Sequence, residues 1–192
     1  FVGIEPDKNL QVKYPEKKVK IFNEKFENIQ INKKFDLIHC SHTLEHLDSP
    51  SFFFKRVKNL MHNKTILYLE VPNIKSIISK YCLEEYFIDK HAFHFSENDI
   101  RNYLKKYNYK IIKQIHDEEN LIFLIKINRN SKNATIRNNF LENKKMIQKY
   151  KKTIKTNLEK MKKLKYKFKK LILKKSILFW GAGRIFNVMQ EY

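Results

Sequence analysis

His42, Glu45 and His46 fall within "FDLIHCSHTLEHLDSP" at residues 35–50, and His91 and His94 follow in "KHAFHFSENDI". On an α-helix, positions i, i+3 and i+4 share a face, so the first three side chains could meet at one point. Imidazole and carboxylate are zinc ligands, and a further ligand from His91 or His94 would complete a metal site. The order of residues argues against the zinc-protease pattern, which runs His-Glu-x-x-His, whereas this one runs His-x-x-Glu-His. A second reading makes His42 or His91 a general base, since a free imidazole titrates near pH ~6.5. In a third, Glu45 and His46 only orient a loop and cap a helix.

Two other places could carry chemistry. Glu5 ends the apolar run of "FVGIEPD". An acid where a strand stops can accept hydrogen bonds from both hydroxyls of a ribose, each worth ~1.5–3 kcal/mol. A solvated strand-end acid is the plainer alternative. Gly181 and Gly183 in "FWGAGRIF" make half a dinucleotide fingerprint, and an ordinary tight strand–helix turn would use the same glycines.

Strands and helices must position these groups. Residues 1–6, 18–22, 35–40 and 65–73 read as strands bounded by Asp, Pro and Asn. Residues 51–62 have the apolar spacing of a helix, with Asp48 or Ser49 as N-cap before Pro50. Ser96, followed three residues later by Asp99, opens a second helix over 96–108. Residues 109–117 and 120–128 flank a tight acidic turn and read as an antiparallel hairpin. Parallel-type strands with helices between them, then a hairpin, predict an α/β sheet with a mixed edge. Between residues 132 and 172 an apolar stripe runs uninterrupted by Gly or Pro, predicting one long helix that packs through the stripe and leaves its lysines solvated.

The chain of 192 residues, 42% hydrophobic with 15 Phe and 10 Tyr, can bury a sizeable core. No apolar run approaches the ~18 residues of a membrane-spanning helix, and no signal peptide is evident. Cys40 and Cys82 are too few for a disulfide framework, so a reducing, cytoplasmic setting is expected. The net charge of +20 is concentrated: residues 132–175 hold 17 Lys and Arg against 2 acids. Abundant Lys, Asn, Ile and Phe also suit an AT-rich coding sequence. Phe1 stands inside an apolar run, so the expectation is of a fragment.

"FVGIEPD", "FDLIHCSHTLEHLDSP", "LYLEVPN" and "HAFHFSENDIRNYLKKYNYKI" stand in this order along residues 1–128. The ordered set resembles the later two-thirds of a class I S-adenosylmethionine-dependent methyltransferase, and is most similar to enzymes acting on small molecules, sugar C-methyltransferases among them. The resemblance implies a partial Rossmann-like methyltransferase sheet with a terminal antiparallel hairpin, followed by a long helix. It implies S-adenosylmethionine as cofactor, with Glu5 on its ribose, Phe26 beside its adenine, and Cys40, Ser41 and His42 running beside it toward the methyl group. His91 and His94 would close over the acceptor. The cluster then reads as a wall of the cofactor site, without metal, with His42 or His91 as base.

The implied domains are the methyltransferase part at 1–130, the Lys-rich helix at 131–174, and the start of a second Rossmann-like domain at 175–192. The family's glycine-rich loop would precede Phe1, so residues 1–192 alone are expected not to bind the cofactor appreciably. The expected acceptor is a small molecule such as a nucleotide-linked sugar. The alternatives are a nucleic-acid methyltransferase using the basic helix, or a non-catalytic remnant whose helix mediates self-association.

Overall fold

The computed structural model describes residues 1–7, 9, 19–78, 91–129 and 135–173. The expected second Rossmann-like segment, with Gly181 and Gly183, lies outside these residues, as does Cys82.

The strands form two sheets. β1 (Val2–Ile4) pairs in parallel with β2 (Lys20–Phe22). β3 (Phe35–Ser41), β4 (Met61–Pro72), β5 (Tyr109–His116) and β6 (Asn120–Ile127) form a separate sheet in the order β3-β4-β6-β5. β3 and β4 are parallel, and β6 runs antiparallel to both of its neighbours. This is the α/β architecture with a terminal hairpin that the sequence implied. The hairpin turn is set by Asp117, whose Oδ1 accepts the N–H groups of Glu119 and Asn120.

Alternation along β4 and β6 places the core. Leu67, Leu69 and Val71 of β4, with Leu121, Phe123 and Ile125 of β6, are buried, while the residues between them are half-buried. Two helices complete this core. α1 (Pro50–Asn59) begins where Ser49 Oγ accepts the Phe52 N–H, with Pro50 in the first turn. It buries Phe53, Phe54 and Val57. α2 (Glu97–Lys106) opens with the expected capping box: Asp99 N–H donates to Ser96 Oγ, and Ser96 N–H to Asp99 Oδ2. It buries Ile100 and Leu104. Phe54 meets Tyr103, Tyr107 and Tyr109, and Tyr109 donates its hydroxyl to the Phe54 carbonyl at 2.7 Å.

α1 stops at Asn59 rather than at residue 62, because Met61 and His62 already belong to β4. There the parallel ladder is irregular: Phe35 pairs with Met61 and Leu37 with Ile66. Thr65 Oγ1 bridges the bulge, accepting from His62 N–H and donating to the Phe35 carbonyl.

The long helix α3 (Phe140–Ile172) has 33 residues and begins eight positions later than the stripe suggested. The residues ahead of it are tied to α2 and its N-cap. Asn139 Nδ2 donates to Ser96 Oγ and Asp99 Oδ1, and Arg137 N–H to Asn102 Oδ1. α3 docks on a 3-10 segment, Ile74–Ile78, where Ile74, Ile77 and Tyr150 bury one another with Met146, Ile147 and Ile154 around them. Among the described residues, no helix is long and apolar enough to cross a membrane.

Candidate functional site

The carboxyl ends of β3 and β4 lie side by side, since Ser41 pairs in register with Glu70. Ser41 Oγ donates to Glu70 Oε2 at 2.7 Å, and Tyr68 donates its hydroxyl to the same oxygen at 3.0 Å. The next residue, His42, has φ of 46°, a left-handed conformation uncommon for a side chain of its size. That turn throws the imidazole between two carboxylates. Its Nδ1 stands 3.7 Å from Glu45 Oε1, and its Nε2 stands 3.7 Å from Glu70 Oε1.

The expected α-helical face is not how these residues meet. Leu44–His46 form a single 3-10 turn, with His42 outside it. Glu45 does not cap a helix: both of its carboxylate oxygens are buried without a hydrogen bond. His46 Nε2 lies 3.9 Å from Glu45 Oε1. The segment from residue 91 crosses this turn, because Phe93 N–H donates to the Glu45 carbonyl at 3.2 Å. It is fixed again where Asn73 bridges to Phe95. His91 then stands with its ring centroid 4.8 Å from that of His46, edge to face, and His94 lies 5.8 Å from His91. Burial lowers the pKa of His91 below the usual histidine value, with His46 adding to the shift and Glu45 opposing it. Burial lowers that of His94 as well, aided by the neighbouring His91.

Cys40 is buried in the main core just before this turn. Burial, reinforced by the negative charge of Glu45, pushes its thiol pKa up to about 12, so it is a packing residue and not a nucleophile. Phe26 is half-buried against α1, tilted toward Phe53 at 5.8 Å and covered by the Arg56 guanidinium at 5.1 Å. Arg56 also donates to the Glu27 carbonyl, which ties the 23–28 loop to α1. Glu5 follows β1 and is half-buried; its Oε1 accepts the Asp7 N–H at 2.9 Å, and its own N–H extends the ladder to the Phe22 carbonyl.

Of the residues singled out from sequence, the fold gathers Ser41, His42, Glu45, His46, His91 and His94. Cys40 backs the group, whereas Glu5 and Phe26 sit in other parts of the chain. Glu70 and Tyr68 were missed. The signal for Glu70 was present, since it is an acid near the end of a strand flanked by buried Leu69 and Val71.

The pattern of a methyltransferase-domain family matches residues 1–114. Among solved structures, an S-adenosylmethionine-dependent methyltransferase from Clostridium acetobutylicum is 17% identical, with 58% of this chain and 65% of that one covered and a TM-score of 0.47. A putative S-adenosylmethionine-dependent methyltransferase from Listeria monocytogenes is 11% identical, with 67% and 80% covered and a TM-score of 0.52. The glycopeptide N-methyltransferase MtfA in complex with S-adenosylmethionine is 10% identical, with 57% and 64% covered and a TM-score of 0.44. The chain therefore spans just under two thirds of the Clostridium and MtfA chains. No curated protein matches. The Listeria likeness is one of fold. Because the matched pattern covers more than half of the residues, this chain belongs to the methyltransferase-domain family.

Proposed function

We propose that this domain transfers a methyl group from S-adenosylmethionine to a small-molecule acceptor, with nucleotide-linked sugars as the favoured class. One juxtaposition supports the reading above others: His42 stands between Glu45 and Glu70 at the end of β3, and the segment bearing His91 and His94 is tied across it. In a sheet of this type, ligands sit at the carboxyl ends of the strands. Family membership supports the cofactor, and the resemblance of the ordered motifs along residues 1–128 to small-molecule methyltransferases, sugar C-methyltransferases among them, supports the acceptor class.

The residues present suit the adenosine half of the cofactor. Glu5 has one carboxylate oxygen engaged by its own turn, which leaves Oε2 for a ribose hydroxyl. Phe26, held by Phe53 and Arg56, gives a fixed apolar edge to the adenine side. Cys40 and Ser41 contribute backbone, since the thiol is buried and the hydroxyl is committed to Glu70. When bound, the cofactor supplies a methyl carbon already activated by its sulfonium. The protein's share is alignment and proton handling. His42, half exposed and flanked by two carboxylates, takes the acceptor's proton, and Glu45 and Glu70 stabilise the imidazolium that results. His91 lines the acceptor side.

Incubation with methyl-labelled S-adenosylmethionine and a panel of nucleotide-linked sugars tests this reading. Label in a sugar, lost on His42→Ala, is the expected result. Label entering RNA instead would overturn the acceptor class in favour of the basic helix as a nucleic-acid arm.

A further inference from the structure

Glu45 is unusual in having a side chain only 2% exposed while neither carboxylate oxygen accepts a hydrogen bond. Buried carboxylates are normally satisfied by donors or by cations, because desolvating the charge is otherwise costly. Its nearest partners are imidazoles at 3.7 and 3.9 Å, beyond hydrogen-bond length. A second orphan lies beside it: His91 Nδ1 is also buried without a hydrogen bond. One ligand atom from each of Glu45, His46 and His91 can be chosen so that all lie within 4.8 Å of one another. Around a zinc ion with bonds of about 2.0–2.2 Å, tetrahedral ligand atoms lie roughly 3.3–3.6 Å apart. The trio is therefore about 1 Å more open than a filled site, a gap that side-chain rotation can close.

We propose that Glu45, His46 and His91 bind a divalent first-row metal ion, with zinc favoured, and leave at least one coordination position open. Two imidazoles and one carboxylate are a zinc-type donor set, and three protein ligands are the pattern of open rather than purely structural sites. The order of residues argues only against the zinc-protease pattern. The fold assembles the ligands differently, from a 3-10 turn and a segment brought in by the Phe93–Glu45 backbone bond. His42 stands outside the trio. With the methyl-transfer reading above, the open position would receive a hydroxyl of the acceptor next to that base; ion binding itself does not depend on that reading.

The test uses the chain stripped with chelator, with neither cofactor nor acceptor present. Zinc chloride is titrated calorimetrically, and cobalt chloride by its visible absorption. One ion per chain is expected, with cobalt giving the intense bands of a four- or five-coordinate site. Glu45→Gln and His91→Asn should each weaken binding at least 10-fold, and His42→Ala should leave it within about 2-fold. A thermal melt keeps the test independent of any loss of folding. Without metal, Glu45→Gln should melt no lower than wild type, since it removes a buried charge that accepts no hydrogen bond. Zinc should raise the melting temperature of wild type and of His42→Ala, and raise that of Glu45→Gln and His91→Asn far less. Binding unchanged by Glu45→Gln, or no melting shift with zinc in wild type, would overturn the site. Such a failure would leave methyl transfer standing, and a failure of methyl transfer would leave these titrations standing.

Discussion

Ser41 and Glu70 are paired in register on β3 and β4 and joined by a 2.7 Å hydrogen bond from hydroxyl to carboxylate. This contact clamps the ends of the two strands and fixes Glu70 on one side of His42. A part-buried bond to a charged group is worth about 1.5–3 kcal/mol. Tyr68 still donates to the same oxygen in its absence. Ser41→Ala should therefore cost about 1–2 kcal/mol in denaturant unfolding, and Glu70→Ala should cost more, because it strands both donors. Unchanged midpoints for both variants would mean that the clamp carries no stability.

His42 should matter for turnover and not for cofactor affinity. It faces Glu45 and Glu70 rather than Glu5 or the 23–28 loop. Loss of a general base typically lowers rate by about 10²-fold or more. His42→Ala should lower kcat by about that factor while the cofactor dissociation constant stays within about 2-fold. A kcat within a factor of a few of wild type would remove the base from this position.

α3 should be held by its first half. Ile77 is fully buried against Tyr150, with Met146, Ile147 and Ile154 around them. Truncating a buried isoleucine costs about 2–5 kcal/mol where the site cannot collapse. Ile77→Ala should therefore raise amide exchange across residues 146–154 while β3, β4 and β6 keep their protection. Equal loss of protection in the sheet would show that helix and sheet unfold as one unit.

Elements with a local cause were legible from sequence. Ser49 before Pro50, the Ser96/Asp99 pair and Asp117 each satisfy backbone groups within a few residues, and each element begins or turns where that chemistry requires. The failures came from distant partners. The stripe from residue 132 looked helical throughout, but Asn139 is drawn to Ser96 and Asp99, more than 35 positions away, and the helix starts after it. The spacing of His42, Glu45 and His46 suggested one α-helical face. The positive φ at His42 and the bond from Phe93 to Glu45 set the real arrangement, and neither leaves a trace in local periodicity. The burial of Glu45 was hidden for the same reason: one charged residue in a polar stretch gives no sign that its carboxylate faces inward.

S-adenosylmethionine is the proposed methyl donor, with Glu5 as its proposed ribose anchor. Isothermal titration of the cofactor into the protein as its gene encodes it is the most direct test. Micromolar binding is predicted, weakened by Glu5→Ala by about 1.5–3 kcal/mol for the lost charged hydrogen bond from Oε2, or roughly 13- to 160-fold. No binding by the gene-encoded protein, or a dissociation constant unmoved by Glu5→Ala, would contradict the account.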